Sequence, residues 1–269
     1  MCAHFAAMPP SLPLPRASPL PIAAADVGET NTTASANFSY DCAFRARITS
    51  WRAHFLQPAL PFVFALLAPW AVGGGGNTAA LPPTRLAQLN ATTLPAVGMA
   101  AAYDLGDALS PWPGHPRDKQ DVGVRMAASL LAIAYGQAAV VHTGPQYASM
   151  AATGTGAALR VAVSFKAGTT ADCGTGVALR LNTSVACPTP TIPAQDCEGF
   201  AVRTSDGVWR AIPPAGVSLS ADGSQLVLAV AAAPAGATAV GTRGMHADWP
   251  LAMLHNGCGF PVEPWRVEV

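Results

Sequence analysis

His115 stands in a proline- and glycine-rich loop that also carries Asp104 and Asp107. An imidazole near carboxylates suits proton transfer, because histidine changes its charge close to neutral pH. Pro116 follows directly and restricts the backbone beside the ring. These residue types indicate general acid–base chemistry, although a lone histidine in a loop is also commonly a surface or capping residue.

The elements on either side of this loop would determine where the imidazole points. The apolar run 97–103 predicts a buried strand, and Asp118 is a suitable N-cap for the helix that follows. The predicted apolar face of that helix consists of Val122, Met126, Leu130, Ile133 and Ala134. A strand, loop and helix in this order place the histidine at the carboxyl end of a strand, where α/β proteins collect catalytic groups.

The amino-acid sequence of this region resembles that of a known protein family. D-L-G-D, then S-P-W-P-G-H-P-R-D-K-Q, V-G-x-R and A-x-A-Y-G resemble the C-terminal catalytic block of sialate O-acetylesterases, which are serine esterases of the SGNH-hydrolase class. The resemblance implies that His115 is the general base. One departure is Trp112, which stands where many enzymes of the wider class carry an aspartate.

A second block with family character is D-V-G-E-T-N, at 26–31. It resembles the family's Q-G-E-x-N block, and the resemblance implies that Gly28 and Asn31 help to form an oxyanion hole. An ordinary polar turn is the alternative interpretation. Glu29, Asp104 and Asp107 are the candidates for the third catalytic residue, which would orient His115, and spacing does not choose among them.

The segment 242–261 carries a third resemblance, to the family's R-Y-A-W-x-x-W-P and L-Y-N-x-x-G-L-P patterns. By this resemblance the segment returns to the catalytic domain, so that Arg243, His246 and Trp249 would border the active site and contact substrate. Simple packing is the alternative, since arginine and aromatic side chains often serve only as anchors.

Composition limits the remaining classes of function. The chain has 269 residues, a net charge of zero and 51% hydrophobic residues, and its basic residues form no cluster, so nucleic acid is not an expected partner. Prolines interrupt the apolar run 55–72, which argues against a stable membrane span. No C-x-x-C pair is present, so the sequence has no strong zinc signature, and the resemblance to serine esterases implies neither a metal nor an organic cofactor.

Several features favour export to a secreted, lysosomal or other endomembrane lumenal location. Asn31, Asn37, Asn90 and Asn182 begin glycosylation sequons, which predict a glycoprotein. Six cysteines without a zinc pattern are better interpreted as disulfides. Because Cys173, Cys187 and Cys197 lie in one loop-rich region, a bridge among them is the first expectation.

The predicted fold is α/β, with part of an SGNH-like, flavodoxin-like parallel sheet followed by an antiparallel β-sandwich. We expect a disordered, proline-rich leader over 1–25, the C-terminal part of the α/β domain over 26–145, and the sandwich over 146–269. A helix over 43–56 and a parallel strand over 61–67 belong to the α/β part. Short runs with turn signals predict the sandwich strands, at 158–165, 176–181, 199–203, 208–212, 217–219, 225–230 and 237–242.

Two hypotheses of different classes follow. In the first, the chain belongs to a sialate O-acetylesterase-like hydrolase acting on O-acetylated sialic acid or another acetylated sugar. No serine of the sequence has the family's G-Q-S-N-like setting, so the first hypothesis includes a missing N-terminal half that supplies the nucleophile. In the second, the chain is a non-catalytic carbohydrate-binding or interaction protein derived from such an esterase.

Overall fold

The computed structural model describes residues 40–70, 81–111, 114–188 and 191–269. The predicted leader, Gly28, Glu29, Asn31 and Trp112 lie outside the described residues. The helices of the described part are α1 (Tyr40–His54), α2 (Leu81–Asn90) and α3 (Lys119–Ile133). None of them is both long enough and apolar enough to cross a membrane.

Short strands form most of the remaining regular structure. In chain order, the strands of the described residues are β1 (Phe62–Leu66), β2 (Val97–Ala101), β3 (Tyr147–Thr153), β4 (Arg160–Phe165), β5 (Leu179–Leu181), β6 (Cys197–Glu198), β7 (Phe200–Thr204), β8 (Trp209–Ile212), β9 (Val217–Leu219), β10 (Leu226–Ala229), β11 (Ala239–Gly244), β12 (Trp249–Pro250), β13 (Leu254–Asn256) and β14 (Trp265–Glu268).

The α/β part is built on β1 and β2, which pair in parallel as predicted. The ring of Phe44 on α1 packs edge-on against Phe64 at 5.1 Å between centroids, so α1 covers one face. On the other face, a Cβ at Gly98 would lie 3.1 Å from Ile133 Cδ1 of α3. Helices therefore cover both faces of the two strands, and the α/β class is confirmed, while the larger SGNH-like sheet is shown only by these two strands.

Helix α3 begins as predicted but buries a different face. The carboxylate of Asp118 accepts a hydrogen bond from the Asp121 N–H at 3.1 Å, which is an N-cap. The most buried side chains are Arg125 and Ser129, whereas the predicted apolar face is only half-buried. Ser129 Oγ donates to the Met99 carbonyl at 2.5 Å and Arg125 Nη1 to the Ala101 carbonyl at 2.8 Å, so polar side chains satisfy strand carbonyls at this contact.

The second half of the chain forms two four-stranded antiparallel sheets, ordered β3-β4-β10-β9 and β14-β11-β7-β8. The predicted antiparallel strands are confirmed, and the hairpin turns at 204–207 and 221–223 join β7 to β8 and β9 to β10. The Trp265 ring lies 5.8 Å from Tyr147, 6.4 Å from Phe165 and 5.7 Å from Phe200. Both sheets thus share one core around this tryptophan.

Two disulfides fasten the loops of this half. Cys187 pairs with Cys197, which confirms a bridge among the three cysteines of the loop-rich region. Cys173 instead pairs with Cys258, 85 residues away. The Cys173–Cys258 pairing was not predicted, because proximity in the sequence does not show which loops the fold brings together.

Candidate active site

The loop after β2 starts from two buried anchors. The hydroxyl oxygen of the fully buried Tyr103 lies 2.8 Å from the Val262 carbonyl oxygen and 3.1 Å from that of Pro261, so its single hydrogen is shared between these two acceptors. Burial raises the pKa of this phenol well above its ordinary value, so it remains a neutral donor. The end of β2 is therefore fixed against the segment that precedes β14.

Asp104 forms a bidentate ion pair with Arg125, at 2.5 and 2.7 Å. His255 Nε2 lies 3.8 Å from its second oxygen. Burial acts to raise the pKa of Asp104, but the nearby His255 imidazole and the hydrogen bonds from Arg125 outweigh it and hold the pKa below the ordinary value. Asp104 is thus an ionised carboxylate that joins β2, α3 and β13.

Asp107 closes the loop that contains His115. Its oxygens accept from Arg117 Nε at 2.6 Å and Arg117 Nη2 at 2.9 Å, and also from the Leu109 N–H. The hydrogen bond from Arg117 is the main cause that lowers the pKa of Asp107 to about 2. Because residues 107 and 117 are clamped together, the intervening loop has fixed ends.

His115 itself is exposed at the tip of this clamped loop. Its main-chain carbonyl accepts a hydrogen bond from Ser110 Oγ at 2.9 Å. Within the part of the chain that the structure describes, no side chain hydrogen-bonds the imidazole ring. The structure therefore brings Asp104 and Asp107 into the same loop as His115 but pairs each carboxylate with an arginine.

Trp249 lies directly against this loop. A Cβ at Gly106, within D-L-G-D, would be only 2.5 Å from Trp249 Cζ2 and 3.0 Å from Pro69 Cγ. Glycine is therefore required there by the close approach of the indole. Trp249 is 6% exposed, so it supports the loop from beneath.

Arg243 and His246 belong to the same returning segment. Arg243 forms a bidentate ion pair with Glu198, at 2.7 Å for both contacts, and its guanidinium lies 4.8 Å from the centre of the Trp209 ring. Burial, followed by the charges of Arg243 and Arg266, lowers the pKa of His246 to about 4. His246 is therefore neutral at pH 7.

Sequence reasoning missed the residue that joins this segment to the α/β part. Arg85 is fully buried and donates to the carbonyls of Leu67 (2.8 Å), Ala68 (3.0 Å), Ala247 (2.5 Å) and Asp248 (3.2 Å). Burial lowers its pKa to about 10, so it is still charged at neutral pH. An arginine within the largely uncharged segment L-P-P-T-R-L-A-Q-L-N was the available signal.

Trp70 was also missed. Its main-chain N–H donates to the Asp248 carbonyl at 3.3 Å, and its indole ring lies 3.7 Å from where a Cβ on Gly114 would stand. Trp70 and Trp249 therefore contact opposite ends of the segment that runs from Gly106 to Gly114.

The arrangement presents an exposed imidazole in a loop whose ends are joined by the Asp107–Arg117 ion pair. Residues 40–70, 81–111, 114–188 and 191–269 contain no group of three His, Cys, Asp or Glu side chains that could hold a metal ion. Gly28, Glu29 and Asn31 lie outside these ranges, so their predicted roles stay predictions.

Comparisons with known proteins agree with the family resemblance. No family model matches the chain. It is 31% identical to the sialate O-acetylesterase of Rattus norvegicus over 132 residues, which is 44% of this chain and 24% of the rat protein. A solved structure of a carbohydrate acetylesterase from Xanthomonas citri superposes with a TM-score of 0.67 and 25% identity, over 92% of this chain and 50% of that protein.

These similarities confirm the resemblance to sialate O-acetylesterases that the three sequence blocks indicate. The chain spans about a quarter of the length of the rat relative and half of the length of the solved acetylesterase. It resembles part of an acetylesterase in sequence and in fold.

Proposed function

We propose that this chain takes part in the hydrolysis of acetyl esters on sialic acid or a related sugar, with His115 as the general base. The observation that carries the proposal is the clamped loop at the carboxyl end of β2, in a chain that is similar to acetylesterases in sequence and fold. An exposed histidine with fixed loop ends is what a proton-transferring group requires.

The proposed chemistry is acyl transfer in two steps. The His115 imidazole removes the proton from a serine hydroxyl as the serine oxygen attacks the acetyl carbonyl, and it returns that proton to the sugar oxygen when the ester bond breaks. Water then attacks the acetyl-enzyme with the same histidine as base, releasing acetate and the serine. The serine belongs to a block of the G-Q-S-N type, which no serine of this sequence matches.

Glu29, Asp104 and Asp107 are the carboxylates proposed to orient His115. Asp104 is engaged by Arg125 and Asp107 by Arg117, so either of them would have to exchange an arginine contact for the imidazole. Comparing Asp104→Asn with Asp107→Asn would separate them, because the orienting residue should lower kcat with little change in KM.

Gly28 and Asn31 are the proposed oxyanion donors, each worth roughly 3 kcal/mol of transition-state stabilisation in comparable sites. Arg243, His246 and Trp249 are proposed to border the sugar. Arg243 already forms an ion pair and stacks on an indole, so it would present a rigid edge to a ligand.

The first experiment reads the transcript upstream of Met1 for a Gly-x-Ser-Asn-type block in frame with Asp26. The encoded protein is then assayed for acetate release from O-acetylated sialic acid. His115→Ala should abolish release, whereas His54→Ala, at an exposed position near the end of α1, should leave it unchanged. Equal activity of wild type and His115→Ala would refute the catalytic role.

The second candidate function is carbohydrate binding without catalysis. The observation that favours it is that the described residues give the His115 ring no carboxylate partner. If no serine block is found in frame and the chain releases no acetate, retained binding of the acetylated sugar would support this function.

Oxidising surroundings fit either function. Two disulfides, Cys173–Cys258 and Cys187–Cys197, connect loops of the sandwich half, and such bonds persist in secreted and lumenal proteins. We therefore propose a secreted or endomembrane lumenal location.

A further inference from the structure

A cavity of about 350 Å³ lies beside β2, on the α/β side of the sandwich. Thr92, Thr93 and the strand residues 97–99 line one side of it. The opposite side is formed by segment 142–146, by Lys166 after β4 and by Glu263 before β14. Neither His115 nor any other described residue of its loop lines this cavity, so the described lining is distinct from the candidate active site.

Main-chain hydrogen bonds hold the wall of this cavity in place. The Lys166 N–H donates to the Gln146 carbonyl at 2.7 Å, and the Glu263 N–H donates to the Pro145 carbonyl at 2.9 Å. The Gln146 N–H donates to Thr169 Oγ1 at 3.1 Å. Three chain segments are therefore tied together before any ligand arrives, and a preformed site loses less entropy on binding.

The lining has the chemistry of a site for hydroxyl groups. Glu263 Oε1 accepts from Gln146 Nε2 at 2.9 Å, and within the described ranges no other hydrogen bond reaches that carboxyl group, so Oε2 is available to a ligand. Thr143, Lys166 and His142 add a hydroxyl, an ammonium and an imidazole around it. Met99 and Val97 supply an apolar surface, as is usual for pockets that place a few polar groups on an apolar wall.

We propose that this cavity is a second ligand site, which binds a monosaccharide-sized polyhydroxylated molecule through Glu263, Thr143 and Lys166. The mixture of donors and acceptors matches vicinal hydroxyl groups, each of which both donates and accepts. A ligand with a single hydroxyl group could pair with only one or two of these polar groups, so it would gain fewer hydrogen bonds than a polyhydroxylated ligand.

The experiment titrates the full chain, labelled at the methionine methyl groups, with D-galactose while NMR follows Met99. Met99→Leu assigns the signal, and Met245, buried elsewhere, is the internal reference. We expect the Met99 signal to shift saturably and Met245 to stay unchanged. Benzyl alcohol is the comparison ligand of similar size, and it should shift Met99 weakly or not at all.

Substitutions of the cavity-lining side chains test whether galactose binds in this cavity. At pH 8, where the Glu263 carboxyl group is ionised, Glu263→Gln and Lys166→Met should each weaken galactose binding about tenfold, as expected for one lost hydrogen bond to a charged partner. Thr143→Val removes one hydroxyl at constant shape and serves if another variant misfolds. Lys119→Met, exposed at the start of α3, is the matched control and should bind as wild type does.

His115→Ala should also bind galactose normally, which separates this site from the proposed esterase. Three results would overturn the proposal: an unmoved Met99 signal, stronger binding of benzyl alcohol than of galactose, or loss of binding in His115→Ala.

Discussion

Glu263→Gln should change how the stability of the protein depends on pH. The carboxyl group of Glu263 lies in the cavity wall, and burial raises its pKa from 4.5 to about 7. Gln146 and Lys166 act in the opposite direction without overcoming burial. Glutamine keeps the shape and the hydrogen-bonding ability of the neutral side chain but removes its titration.

The direction of this pH effect follows from the protonation of Glu263 in the folded and the unfolded protein. Between pH 4.5 and about 7 the folded protein holds the Glu263 proton and the unfolded chain has lost it, so raising the pH favours unfolding. At 1.36 kcal/mol per pH unit, the wild type should lose about 3 kcal/mol of stability across this range relative to the variant. The contribution is fully present below pH 4.5 and is lost as the pH rises through about 7.

Calorimetry at pH 4.5 and pH 8 measures this difference. For a protein of this size about 3 kcal/mol corresponds to roughly 6 °C in Tm, so the wild-type Tm minus the variant Tm should fall by about that amount. The lowered pKa of His246 acts in both proteins and cancels. Glu268→Gln is the control, because ion pairing with Arg266 lowers the pKa of that exposed carboxylate and the fall should be absent. A constant Tm difference for Glu263→Gln would refute the reasoning.

Three further substitutions test the packing around the candidate site. Gly106→Ala should destabilise by about 1–3 kcal/mol in denaturant unfolding, because the new methyl group would overlap Trp249; unchanged stability would contradict this contact. Gly123→Ala, where the methyl group meets nothing on α3, should instead stabilise by about 0.5–1 kcal/mol, and a loss of that size would be the wrong sign. Arg85→Met should cost about 3–5 kcal/mol by leaving buried carbonyls unpaired, and a cost under about 1 kcal/mol would show that water replaces the guanidinium.

Local pattern was enough to predict the elements around His115. The apolar runs at 61–67 and 97–103 became β1 and β2, and Asp118 caps α3 as predicted. Those features depend on residues close together in sequence, where period, turn signals and capping rules apply. The family resemblance added the proposed role of His115 as general base, which no local pattern could supply.

Contacts between distant segments escaped prediction. The inner face of α3 is set by Arg125 and Ser129, because strand carbonyls needed donors there. Cys173 forms a disulfide with Cys258, 85 residues later in the chain. The main-chain N–H of Trp70 donates to the carbonyl of Asp248 in the returning segment. A single sequence records each partner but not their pairing, since the pairing depends on the completed fold.

The buried guanidinium of Arg85 can complete its hydrogen bonds only after most of the chain has been synthesised. Two of its four carbonyl partners are at Ala247 and Asp248, 162 and 163 residues later in the chain. At about 5–20 residues per second, a ribosome needs roughly 10–30 s to synthesise the intervening segment. During that interval two of the four carbonyl acceptors of Arg85 have not been synthesised, so its guanidinium has to hydrogen-bond to water instead. The burial of this charge is therefore a late step of folding, because it requires both parts of the chain.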